Sequence, residues 1–142
     1  MRKVALFFML LISFSCIFEQ NNSYYRDYDE ILENEFQGKG WLPNEFVLFS
    51  INNVYLRNNI DVNTFLIRFS LKKKDFINLT QKLDIMDSIF KKPHGVSIPR
   101  WWTTKIDELP KYSYNFNKNG NDKIVSIAID FSNLTFYCWG RY

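Results

Sequence analysis

The stretch TFLIRFSL, residues 64–71, decides the fold class. Phe65, Ile67 and Phe69 recur at every second position, and β-branched and aromatic residues dominate the stretch. A period of two with such residues is typical of a strand that buries one face. The sequence therefore predicts a strand here, inside a sheet with a hydrophobic core on one side.

A helical pattern follows this strand. Phe76, Leu79, Leu83 and Met86 are spaced three or four residues apart, which places them on one face of a helix. Pro93 marks the end of the region. Further on, the sequence predicts a short helix over residues 103–109, ended by the proline at position 110.

The C-terminal third is predicted to be a three-stranded meander. Alternating aromatic residues define a strand over residues 112–116. Asn119 and Gly120 form the strongest short hairpin signal in the chain. A second strand covers residues 124–130, with alternate residues on opposite faces, and a third covers residues 134–139.

Upstream of residue 64, a helix is predicted over residues 24–36, capped by Ser23 and stopped at Gly38. Residues 46–56 are interpreted as strand. The predicted fold class is thus α+β: a small single domain over residues 24–142, in which an antiparallel sheet carries two main helices packed on one face.

The N-terminus shows a processing signal. Arg2 and Lys3 precede an apolar run over residues 4–14, which has the length of a signal-peptide core, so residues 1–15 are excluded from the fold. With Ser15 before Cys16, the stretch resembles the lipobox of bacterial lipoproteins. The resemblance implies that the Cys16 thiol receives a lipid and becomes the new N-terminus.

Residues 16–23 then form a polar tether from a membrane to the domain. The membrane is the expected partner of the lipid anchor, and the resemblance, with Ile17 after the cysteine, implies the outer membrane in a host with two membranes. The alternative is cleavage before Cys16 and release as a secreted or periplasmic protein. Cys16 and Cys138 can then pair in an oxidising compartment.

Charge and composition exclude several classes of function. The 18 basic and 15 acidic residues give a net charge of +3, and loss of Arg2 and Lys3 lowers it to about +1. Such a balance argues against nucleic acid as a partner. One histidine, two cysteines and five glycines provide neither a metal-ligand set nor a phosphate-binding loop, so no metal and no cofactor is expected.

The adjacent Trp101 and Trp102 are the candidate binding residues. In an extended link their side chains point in opposite directions, so one ring is expected in the core and the other at the surface. The outward ring, with Arg100 beside it, is interpreted as a platform for a sugar ring or a partner protein. Trp41 is a candidate second platform.

These patterns favour a cell-envelope lipoprotein that acts as a binding module for an envelope protein or glycan. No catalytic residue is assigned. One alternative is a secreted hydrolase of envelope polymer that uses carboxylates near the tryptophans, Asp107 and Glu108. Another is an immunity or exclusion factor. The sequence leaves the oligomeric state open.

Overall fold

A computed structural model describes residues 20–33, 43–86, 90–118 and 120–141. The signal segment, Cys16 and Trp41 lie outside the described residues. These described residues form a seven-stranded sheet and three short helical segments. The strands are β1 Gln20–Asp27, β2 Ile51–Asn59, β3 Thr64–Leu71, β4 Asp84–Ile85, β5 Lys111–Lys118, β6 Asn121–Asp130 and β7 Thr135–Arg141. The helices are α1 Tyr28–Glu33, a 3₁₀-helix Asn44–Leu48 and α2 Lys73–Thr80.

The sheet is built from two antiparallel meanders that meet at its centre. Its strand order is β1-β2-β3-β7-β6-β5-β4, and each neighbouring pair is antiparallel. Strands β1 to β3 form the first meander and β4 to β7 the second, joined where β3 pairs with β7. The chain reaches the far edge after β3 through α2, and a long segment between β4 and β5 leaves the sheet and returns to it.

The first face of the sheet carries the larger core. Phe69 stacks on Phe136 with 5.1 Å between ring centroids, and both rings are completely buried. Ile31 of α1 and Phe76 of α2 close this core from above. Both short helices contact this core, which is formed by alternate positions of the central strands.

The second face is covered only in part. The segment between β4 and β5 packs Val96, Trp102 and Ile106 against Leu66 and Trp139 of the sheet. A central strand that is covered on both sides has apolar residues at nearly every position. In β3, six of the eight residues are buried, which is consistent with cover on both faces. Toward β1 the cover ends, and the second face of the first meander is partly exposed.

The predicted α+β class with two main helices is wrong, because the described residues form mainly an antiparallel sheet, and their two α-helices have 6 and 8 residues. The helix predicted over residues 24–36 begins as β1, which pairs with β2 from Gln20 onward. The first four residues of β1 were assigned to the tether. A strand with polar residues is stable here because its backbone hydrogen bonds are completed by β2.

Three further elements differ from their predictions. Residues 46–48, interpreted as strand, belong to the 3₁₀-helix, and β2 begins only at Ile51. Helix α2 ends at Thr80 instead of continuing to Met86, and residues 84–85 already pair with β5. Residues 103–109 form turns and no helix. By contrast, β3 and the C-terminal meander are confirmed, with Val125, Ile127 and Ile129 buried on the first face.

Candidate functional site: an aromatic surface on the second sheet face

One cross-strand row places large side chains side by side on the second face. Tyr24 of β1 pairs with Tyr55 of β2, Tyr55 pairs with Arg68 of β3, and Arg68 pairs with Tyr137 of β7. Residues opposite one another in neighbouring strands point to the same face of the sheet. The fold therefore collects an arginine and three tyrosines from four strands into a single line.

A bulge in β2 lies beside this row. The pairing of β2 with β3 shifts between Asn52 and Tyr55, and Asn53 adopts a positive φ of 52°. Asparagine tolerates this left-handed conformation better than most residues. The Asn53 side-chain oxygen accepts a hydrogen bond of 3.2 Å from the Tyr24 hydroxyl, which fixes the tilt of that ring.

A turn brings the two tryptophans to the same place. The Trp102 amide donates a hydrogen bond of 3.0 Å to the Pro99 carbonyl, so Pro99 to Trp102 form a tight turn. Trp102 is 5% exposed, whereas Trp101 is only partly buried. The two rings thus differ in burial, and it is the turn, not an extended link, that separates them.

Three partly exposed rings form a continuous surface. The ring centroids of Tyr24 and Tyr55 are 4.8 Å apart, and those of Tyr55 and Trp101 are 5.7 Å apart. Tyr24 is 50% exposed at the outer end. We call Tyr24, Tyr55 and Trp101 the aromatic surface. Offset and tilted contacts at these distances stabilise the rings against one another.

Trp102 anchors this surface in the core. Its ring centroid lies 5.8 Å from that of Trp101, 5.2 Å from that of Tyr137 and 5.7 Å from that of Phe90. Burial raises the pKa of the Tyr137 phenol, so this hydroxyl stays protonated across the physiological range. The buried rings thus support the exposed ones from below and set their spacing.

Arg68 provides the charge of the site. Its guanidinium carbon lies 5.3 Å from the centroid of Tyr55, a cation–π contact. The side chain is partly exposed, and within the described residues its N–H groups donate to no oxygen. An arginine has five such donors, so this one presents unused hydrogen-bonding capacity next to the aromatic surface.

Residues 90–110, which we call the covering segment, are attached to the edge of the sheet by a set of hydrogen bonds that we call the polar clamp. Arg57 donates to Asn22 Oδ1 at 2.6 Å and to Ser97 Oγ at 2.6 Å. Ser97 in turn donates through its hydroxyl to Gln20 Oε1 at 2.8 Å. Partial burial lowers the pKa of the Arg57 guanidinium, which nonetheless stays charged at neutral pH. The clamp holds Trp101 against β2.

The two acids near the tryptophans, Asp107 and Glu108, lie at the surface of the turns that follow Trp102. Asp107 accepts a hydrogen bond of 3.0 Å from the Phe90 amide, and both Asp107 and Glu108 are exposed. Arg100 is exposed at the turn beside Trp101. Among the described residues, no group of three or more histidines, cysteines or acids is arranged to hold a metal ion.

Three residues of the site were not foreseen from the sequence. Tyr24 was placed in a helix, and Tyr55 lay in a stretch whose alternation is poor. The alternation of residues 64–71 places Arg68 among the polar positions of its strand and assigns it no further role. A charged residue at the centre of TFLIRFSL was a usable signal, because charged side chains are rarely placed in a central strand without a reason.

Comparison with known proteins identifies one family resemblance. Residues 19–70 match the sequence model of the YbbD head domain. The match covers less than half of the chain and spans β1, β2 and nearly all of β3, so it contains Tyr24, Tyr55 and Arg68 and ends before Trp101. No curated protein matches the chain. No solved structure matches it either.

The helices of the described ranges give one further finding. None of them is long and apolar enough to cross a membrane.

Proposed function

We propose that this chain is a lipid-anchored binding module of the cell envelope and that it holds a glycan on the aromatic surface. The observation that supports the proposal is the continuous run of Tyr24, Tyr55 and Trp101, partly exposed and fixed from below by Trp102. A monomeric protein rarely exposes several large rings in contact with one another unless they bind something.

The geometry favours sugar rings as ligands. A pyranose ring has faces of C–H groups that stack on aromatic rings, while its rim of hydroxyls needs polar partners. In the aromatic surface, successive ring centroids are 4.8 and 5.7 Å apart. Arg68 and Asn53 lie beside these rings and provide polar groups. A few apolar contacts with a small number of well-placed polar groups are typical of small-molecule binding sites.

The test is direct binding of a neutral cell-wall oligosaccharide. The full chain, purified from membranes in detergent, is titrated with chitotetraose by calorimetry and by tryptophan fluorescence. Truncating a central aromatic residue at an interface costs about 1–2 kcal/mol or more, so Trp101→Ala and Tyr55→Ala are each expected to weaken binding about tenfold.

Phe131→Ala is the matched control. Phe131 is 51% exposed, as Tyr24 is, but it contacts Phe76 of the first face, away from the aromatic surface. It should bind chitotetraose as the wild type does. No measurable binding by the wild type, or equal binding by all three variants and the wild type, would contradict the glycan proposal.

The anchor is tested separately at Cys16. Cys16→Ala should release the protein from membranes while the melting temperature of the domain is unchanged, because the sheet begins four residues later at Gln20. One acyl chain binds a membrane only marginally and reversibly, and lipoprotein maturation supplies more than one. A variant that stays in the membrane fraction with its first residues uncleaved would show that the lipoprotein proposal is wrong.

A further inference from the structure

Arg68 occupies an unusual position for an arginine. It lies on β3, at the centre of the sheet, in register between Tyr55 and Tyr137. Ile67 and Phe69, its neighbours along β3, are buried, so the Arg68 side chain has a fixed position on the second face. Taking a guanidinium partly out of water costs free energy, and a protein normally offsets that cost with a carboxylate partner.

Within the described residues, no carboxylate pairs with Arg68. The nearest acid by register, Asp130, is engaged by its own turn: its Oδ1 accepts from the Ser132 amide at 3.0 Å, and its Oδ2 accepts from the Asn133 side chain at 2.7 Å. The Asp130 carboxylate thus accepts hydrogen bonds within its own turn and forms no ion pair with Arg68.

The surroundings of Arg68 are positive and aromatic. Arg57 lies on the same face of β2, and Arg100 is exposed beside Trp101. The contact of Arg68 with Tyr55 is made to the ring and gives the guanidinium no oxygen acceptor. A planar guanidinium matches a planar carboxylate through two parallel hydrogen bonds, which is the strongest pairing available to it.

We infer that the glycan held on the aromatic surface is acidic and that Arg68 binds a carboxylate carried by one of its sugars. The inference rests on the proposed glycan-binding function and names its ligand class. One sugar ring stacks on Tyr55 and Trp101, and its carboxylate reaches the Arg68 guanidinium beside them. Arg68 thereby selects acidic sugars from the neutral ones that the rings alone accept.

The probes are three tetrasaccharides with the same backbone of amino sugars. The first alternates N-acetylglucosamine with N-acetylmuramic acid and has free lactyl carboxylates. The second is its methyl ester, in which the charge is removed, and the third is chitotetraose. Calorimetry on the full chain in detergent should show the free acid binding about tenfold more tightly than the ester, the range expected for one charge-assisted pair.

Two substitutions of Arg68 separate charge from geometry. Arg68→Gln should abolish the preference for the free acid over its methyl ester, and an unchanged melting temperature should show that the variant is folded. Arg68→Lys should retain part of the preference, because it keeps the charge and loses the two-pronged geometry. Arg141→Gln is the control. Arg141 is an exposed residue of β7 on the second face, as Arg68 is on β3, and its variant should bind all three probes as the wild type does.

The outcomes distinguish the two proposals. Equal binding of acid and ester by the wild type, or a preference that survives in Arg68→Gln, would overturn the inference while chitotetraose binding still supports a glycan module. Competition by glycerol 3-phosphate as strong as that of the free acid would also overturn it, since the site would then recognise a phosphate headgroup. Failure of all three tetrasaccharides to bind would remove both proposals.

Discussion

The ring centroids of Trp101 and Trp102 lie 5.8 Å apart, yet Trp102 is buried and Trp101 is partly exposed. Two neighbouring residues of the same type thus have separate tasks. Trp102 fills the smaller core on the second face, and Trp101 packs against that core and extends to the surface. The pair lets one turn of the chain both fill the core and place an aromatic ring at the surface.

Single substitutions should separate these tasks. Trp102→Ala should lower the free energy of unfolding by about 3–5 kcal/mol, because it leaves a cavity among Phe90, Tyr137 and Trp139. Trp101→Ala should cost much less and should weaken glycan binding. Urea denaturation of both variants measures the difference. Two equally large losses of stability would mean that both rings are core residues.

The buried face of β3 gives a second prediction. Phe69 is completely buried between Phe46 and Phe136, so Phe69→Ala should cost about 3–5 kcal/mol in chemical denaturation. Ile85→Ala is the control: Ile85 is 87% exposed on β4, and a surface substitution of this kind changes stability by about 0.5 kcal/mol or less. A Phe69→Ala variant as stable as the control would place the core on the other face.

Some elements of the fold can be predicted from short stretches of sequence, and others cannot. Strand β3 and the hairpin at Gly120 are defined by alternation and turn residues within a few positions of one another. Strand β1 is different. Its residues QNNSYYRD are mostly polar, and only pairing with β2 makes the segment a strand, so no local pattern distinguishes it from a helix start.

The same difference limits what could be predicted about the site. Trp101 was recognised because two adjacent tryptophans are conspicuous in any sequence. Tyr24 and Arg68 join it only through the registers of β1 with β2 and of β2 with β3, which are long-range properties. A binding surface assembled across strands is visible in the sequence only when the order and register of the strands are already known.

Gly95 and Gly120 offer a matched comparison of two glycines with positive φ. Gly95 has φ of +74°, and a Cβ there would lie 2.6 Å from Val62 Cγ2 and 3.1 Å from Asn59 Nδ2. Asn59 also donates a hydrogen bond of 2.8 Å to the Gly95 carbonyl, so the covering segment is attached to the β2–β3 hairpin at this point. Space and backbone conformation both require glycine at position 95.

We therefore expect Gly95→Ala to cost more than about 2 kcal/mol, from backbone strain and crowding together. Gly120 has φ of +81° and open space around it, so Gly120→Ala should cost about 1 kcal/mol from strain alone. Thermal melts of both variants provide the comparison. If Gly120→Ala proves the more damaging of the two, the covering segment is not held as closely as described.

Asp75 predicts a pH dependence of stability. The Ser50 amide donates to Asp75 Oδ2 at 3.0 Å and joins the start of α2 to the start of β2. This hydrogen bond is the main reason that the pKa of Asp75 lies below its usual value of 3.8. Because the folded state holds the ionised form, the contribution to stability is present above the usual pKa and is lost as the pH falls through the lower pKa of the folded protein.

The Asp75→Asn variant should consequently melt below the wild type at neutral pH, and the difference should shrink in acid below pH 3.8. Asp61→Asn is the control, because Asp61 is exposed in the turn between β2 and β3. At neutral pH its melting temperature should equal that of the wild type. A constant difference between Asp75→Asn and the wild type at all pH values would show that the ionised carboxylate is not what joins the two elements.

Cys138 provides the last prediction, which also bears on the alternative of a disulfide with Cys16. Cys138 lies on the first face of β7 with none of its surface exposed, and within the described residues it forms no disulfide. Burial raises the pKa of this thiol far above its usual value, so it stays protonated and unreactive in the folded protein. The native protein should leave Cys138 unlabelled by iodoacetamide, as read by peptide mass mapping, and guanidinium chloride should make it fully reactive. Disulfide formation with Cys16 requires the Cys138 sulfur to leave the core, so a Cys16–Cys138 peptide in protein taken from membranes would contradict both the burial of Cys138 and the lipidation of Cys16.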